Sequence, residues 1–97
     1  MGHIFDNESV KLLINAFMTL ENEKECQEFL EDIMTTKEIL DISQRVVVAK
    51  MLSEQAVYNK IAEETGASTA TISRVNRSYS YGTGAYKKAL ERLEKNS

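Results

Sequence analysis

YNKIAEETGASTATISRVNR, residues Tyr58 to Arg77, has the steric pattern of two short helices crossing steeply about a tight turn. Where such helices touch, the first must offer a small side chain, and Ala62 does. The turn needs a residue at ease with positive φ, and Gly66 stands four residues later. The second helix must turn apolar side chains inward; Ile72 and Val75, three apart, share a face, and Ile61 adds another from the first helix. Ser68 sits where an N-cap is wanted, with Thr69, Ala70 and Thr71 in the first turn behind it. The pattern is that of a helix-turn-helix. An ordinary αα-corner inside a helical domain is the structural alternative.

The face left outside favours the helix-turn-helix. With Ile72 and Val75 inward, Thr69, Ala70, Ser73, Arg74 and Arg77 point outward or sideways. A helix docked in a DNA major groove puts N-terminal residues at base edges and its flanks against phosphates. Short hydroxyl and methyl side chains (Thr69, Ala70, Thr71, Ser73) permit close approach to base edges and thymine methyls. Ser68 and the free amides behind it suit phosphate oxygens. Arg74 and Arg77 supply cations. Asn59 and Lys60 open the first helix, where it would cross the backbone. Ser78, Tyr79, Ser80 and Tyr81 are expected to add hydroxyl donors beyond a recognition helix that spans residues 68–77.

Charge at first argues otherwise, because the 97 residues carry a formal net charge of −3. The distribution reverses this. Ten acids against five bases lie in residues 1–52, whereas Arg74, Arg77, Lys87 and Lys88 stand between Thr65 and Leu90 with no acid among them. Phosphates respond to the local field, so an acidic protein with a basic, hydroxyl-rich patch can bind nucleic acid.

Upstream, the apolar spacing predicts three helices. The first starts after Asp6 or Asn7 and runs to about Thr19, with Val10, Leu13, Ile14, Phe17 and Leu20 stepping by three and four. The second runs from an Asn22 cap through Met34. The third opens at a Thr35…Glu38 capping box and continues to about Leu52. Its apolar residues nearly encircle it, which predicts burial against more than one neighbour and packing against a second copy of the chain. A last helix is expected over 85–94, after Gly82-Thr83-Gly84. The sum is one all-α domain over 1–97, a bundle of about six helices: dimerisation helices in 1–52, a helix-turn-helix at 58–77 and a C-terminal helix.

Other classes find little support in the residues. His3 is the only histidine and Cys26 the only cysteine, so neither a triad nor a metal cluster is expected; no enzyme, no cofactor and no metal. Cys26, between Glu25 and Gln27, reads as an unactivated core residue. A lone cysteine, no apolar run near 20 residues and an N-terminus unlike a signal peptide predict a cytoplasmic protein without membrane contact. Tyr79, Tyr81 and Tyr86 could stack on RNA bases, but no RNA-binding motif accompanies them. A helical protein-interaction module without DNA binding remains the rival in another class.

The stretch GASTATISRVNRSYSYGTGAY, residues 66–86, resembles the Trp repressor family, in particular its small relatives from Gram-positive bacteria. The likeness runs more weakly from about Met34 to Leu93. The resemblance implies an all-helical, intertwined homodimer whose recognition helices face successive major grooves of a palindromic operator, and transcriptional repression as the role. It also implies candidate effector residues. Arg45 and Arg74 match the two arginines of the family's tryptophan site, Thr35 its threonine and Ser78 its serine. The family's glycine after the second arginine is Val75 here, and an apolar position two before Met34 is Asp32. Both departures argue against tryptophan as an effector.

Overall fold

The computed structural model describes residues 2–96, and among them there are six α-helices, one 3-10 turn and no strand. The 3-10 turn is Gly2–Asp6; the helices are α1 (Glu8–Phe17), α2 (Glu23–Ile33), α3 (Thr36–Ser53), α4 (Tyr58–Thr65), α5 (Thr69–Tyr81) and α6 (Ala85–Lys95). The chain forms two compact units, Met1–Thr36 and Lys37–Ser97.

In the first unit, both expected caps are made. Asn7 Oδ1 accepts from the amides of Ser9 and Val10 at 2.8 and 3.3 Å, and Asn22 Oδ1 from that of Glu25 at 3.0 Å. Asn7 rather than Asp6 is therefore the cap of α1. Residues before it close a 3-10 turn, and the Asn7 amide donates to the Ile4 carbonyl. Phe17 of α1 meets Phe29 of α2 edge-on, with ring centroids 5.1 Å apart. No residue of either helix is fully buried, and Cys26 is half-buried. Leu12 is 71% exposed and Met18 79%, so much of the apolar surface of this unit is uncovered.

The second unit holds the core. Val48 and Ala49 of α3, Ile61 of α4, Ala67 of the turn, and Ile72 and Val75 of α5 are buried together. Each fully buried isoleucine contributes about 1.5–3 kcal/mol relative to exposure. Met51, Leu52, Tyr58, Tyr79, Tyr86 and Leu90 close around them. Of the apolar girdle predicted for α3, only one side is covered here: Leu40, Ile42, Val46 and Val47 remain exposed.

The α3–α4 junction was not readable from sequence. Ala56 N–H donates to the Met51 carbonyl and Gln55 N–H to that of Leu52, both at 3.0 Å. This six-to-one and five-to-two pair is a Schellman ending, and its left-handed residue is Gln55, φ +63°, where glycine is the usual choice. The α4–α5 turn follows the expectation. Gly66 has φ +74° and its amide donates to the Ala62 carbonyl at 2.9 Å. Ser68 Oγ then accepts from the Thr71 amide at 3.1 Å and opens α5.

One boundary is corrected. α5 does not stop at Arg77 but continues to Tyr81, so Ser78 to Tyr81 belong to the helix rather than following it. Nothing between Arg77 and Gly82 breaks a helix, and the halt comes at Gly82, whose amide donates to the Ser78 carbonyl at 2.9 Å. A Cβ at Gly82 would collide with that carbonyl oxygen, so the close exit needs glycine.

Candidate nucleic-acid interface

Two helices and a glycine turn place the site. The back of α5 is fixed by Ile72 and Val75, both buried against Ile61 and Val48. The helix period then dictates what faces out, and Ser68, Thr69, Ala70, Ser73, Arg74 and Arg77 are all exposed. Thr71 is half-buried; its hydroxyl accepts a hydrogen bond from Ser68 Oγ at 3.1 Å, so it sits on the flank of the face and shares in the cap. Asn59 and Lys60 are exposed in the first turn of α4.

The charge on α5 is uniform. The helix carries no acid, and the first turn of α5 has none to compete with an incoming anion. The exposed ion pairs Glu8–Lys11, Lys37–Asp41 and Lys50–Glu54 all lie outside α4 and α5. In the second of these, the hydrogen bond from Lys37 to Asp41 and the attraction between their charges hold the lysine amine above its ordinary range. Glu63 and Glu64, the nearest acids in sequence, are exposed in the last turn of α4, three and four residues after Lys60.

Two polar links hold α4, which has no side-chain N-cap and one fully buried residue, Ile61. At its start, the Tyr58 hydroxyl oxygen accepts from Asn76 Nδ2 of α5 at 3.0 Å, and Asn76 Oδ1 accepts from Ser80 Oγ at 3.2 Å. At its end, Gln44 Nε2 of α3 donates to the Thr65 carbonyl at 3.0 Å. The Thr65 hydroxyl bridges the turn, donating to the Ile61 carbonyl and accepting from the Ala67 amide. Periodicity alone gives no sign of the Tyr58–Asn76 and Gln44–Thr65 pairs, which lie 18 and 21 residues apart in the chain.

Of the candidate effector residues, Arg45, Arg74 and Ser78 line one cleft of about 170 Å³, together with Thr71, Val75 and Tyr86. Thr35 lies in the other unit. Val75 is nearly fully buried and serves the core and the cleft wall at once. Thr71, and Tyr86 of α6, also line this cleft, and the resemblance implied neither as an effector residue. Among the described residues, no group of three or more His, Cys, Asp or Glu side chains is placed to hold a metal ion, and no helix is long and apolar enough to cross a membrane.

Comparison with known proteins agrees with this geometry. The sequence pattern of the family described as Trp repressor protein matches residues 8–94. YerC of Bacillus subtilis (strain 168), itself described as uncharacterized, is 49% identical over 82 residues, covering 84% of this chain and 79% of that protein. The crystal structure of a TrpR-like protein from Eubacterium eligens superposes with a TM-score of 0.89 at 49% identity, over 95% of each chain. A protein from Staphylococcus aureus described as a candidate Trp repressor gives 0.85 at 45% identity, over 91% of this chain and 88% of that one. A match spanning nearly every helix, with the same fold at close to half identity, leaves one conclusion: the chain belongs to the Trp repressor family.

Proposed function

We propose that this protein is a sequence-specific DNA-binding transcriptional regulator, acting as a repressor, that reads the major groove with α5. The observation that carries the reading is the division of α5 into two faces. Ile72 and Val75 are buried behind, while Thr69, Ala70, Ser73, Arg74 and Arg77 stand exposed in front with no carboxylate among them. Membership of the Trp repressor family supports the same role. Ser73, Thr69 and Ala70 are the base-edge residues in this account. Arg74, Arg77, Asn59, Lys60 and Ser68 hold phosphates, and Thr71 contributes from the flank.

The active species is a homodimer, intertwined as the family resemblance implies. The exposed apolar side chains of each unit support it: Leu12 and Met18 in the first and Leu40 and Val47 in the second would leave water in a dimer, and so many exposed large apolar residues on a small chain call for a partner. Sedimentation should give about twice the 11.0 kDa chain mass. A dimer with two-fold symmetry reads a palindrome whose half-sites lie about one helical turn apart. Selecting bound duplexes from a random pool tests the function. Enrichment of such a palindrome is expected; an unenriched pool contradicts sequence-specific binding.

The regulator binds DNA without tryptophan. The cleft beside α5 is small against the roughly 300–1,000 Å³ of ordinary ligand sites. Val75 and the Tyr86 ring occupy its wall, and Val75 also anchors the helix that a ligand would otherwise have to hold.

A further inference from the structure

Tyr81 is the most exposed large apolar side chain of the described residues, at 87%, and nothing in the fold uses it. The other three tyrosines, Tyr58, Tyr79 and Tyr86, pack half-buried against the core. Position on the helix separates Tyr81 from them. At 3.6 residues per turn, Ala70, Ser73, Arg74, Arg77 and Tyr81 fall within an arc of about 100°, on the side opposite Ile72, Val75 and Tyr79. Tyr81 thus ends the same stripe that carries the DNA-reading residues, one turn beyond Arg77.

Distance along the helix decides what it would meet there. From Thr69 to Tyr81 α5 rises about 18 Å, whereas the major groove is about 12 Å wide. A helix with its N-terminal turn at the base edges therefore brings its C-terminal turn out to the rim, where the phosphates are. Gly82 fixes that turn: the chain leaves in a close bend that a Cβ would block, so Tyr81 is held as the last helical residue. A phenol suits the location, with a donor hydroxyl for a phosphate oxygen and a ring that covers the sugar edge.

We propose that Tyr81 is a DNA-backbone contact, its hydroxyl donating to a phosphate oxygen at the rim of the groove that α5 enters. The proposal rests on the DNA-binding reading. It extends the interface one turn past the 58–77 motif and predicts a contact that carries no charge.

That last property gives the test. Anisotropy titrations of a labelled mixed-sequence duplex of about 30 base pairs, between about 50 and 200 mM salt, would compare the full chain with Tyr81→Phe, Tyr81→Ala and Arg77→Ala. Thermal melts would check that each variant folds. Tyr81→Phe should weaken binding about three- to tenfold with the slope of log affinity against log salt unchanged, because no counterion is released at a neutral contact. Arg77→Ala should lower affinity and reduce the slope by about one per subunit. Binding by both Tyr81 variants within twofold of the parent overturns the proposal, as does a loss confined to Tyr81→Ala. If the parent chain itself does not bind the duplex at low salt, the DNA reading has failed first and this contact falls with it.

Discussion

Asn76, in the middle of α5, donates from Nδ2 to the hydroxyl oxygen of Tyr58, the first residue of α4, at 3.0 Å. The bond spans the helix-turn-helix from the far side of its turn, and with Gln44 holding Thr65 it pins α4 at both ends. α4 is eight residues long, too short to persist without tertiary support. These bonds therefore add to the core in fixing how α4 lies against α3 and α5. Tyr58→Phe leaves a partly buried amide without its acceptor and should cost about 1 kcal/mol by urea denaturation. In a double-mutant cycle with Asn76→Ala, the coupling should be about 0.5–1.5 kcal/mol. Additive losses would show that the bond contributes nothing.

Two residues with left-handed backbone give opposite expectations. Gly66 is at φ +74° with open space where a Cβ would lie, so Gly66→Ala meets no clash and only backbone strain, about 1 kcal/mol of destabilisation. A β-branched Gly66→Val should cost about 1–3 kcal/mol. Gln55 already carries that strain at φ +63°, and Gln55→Gly should stabilise the chain by a few tenths to about 1 kcal/mol. Chemical denaturation of both variants would check the signs, and a destabilised Gln55→Gly would contradict the assignment of the α3 ending.

What could be read in the sequence followed the strength of local constraint. Ala62, Gly66, Ser68, Ile72 and Val75 each answer a steric demand of one turn, and the turn is built as they imply. The caps Asn7 and Asn22 were legible for the same reason. The end of α3 was not, because Gln55 takes a conformation that its side chain does not advertise. The motif's usual extent ends at Arg77, but no residue before Gly82 breaks a helix, and α5 runs on to Tyr81. Long-range pairs such as Tyr58–Asn76, and the arrival of Tyr86 beside Arg45 and Arg74, depend on tertiary packing and leave no periodic trace.

Val75 makes the effector question testable. Its side chain belongs to the core behind α5 and to the wall of the small cleft, and on the proposed reading it holds the helix in place of a ligand. Calorimetry should detect no submillimolar binding of L-tryptophan, and DNA affinity should be the same with and without it. An effector acts only through differential affinity for the competent and incompetent states. A tenfold gain in DNA affinity on adding tryptophan, about 1.4 kcal/mol of coupling, would overturn the expectation. Binding that emerges only in Val75→Gly would support the steric argument, at the expense of a cavity in the core.

On the proposed reading, a basic, acid-free face of α5 binds DNA in a chain whose net charge is negative. The most direct measurement is the affinity for a palindromic duplex recovered by selection, titrated by anisotropy across salt concentrations. With about four cations per subunit near phosphates, log affinity should fall with log salt by a slope of several units for a dimer. Arg77→Ala should weaken all sequences alike, and Ser73→Ala should change which sequences are preferred. No binding at about 50 mM salt, or binding with no salt dependence, would contradict the account and leave the helix-turn-helix as a structural corner.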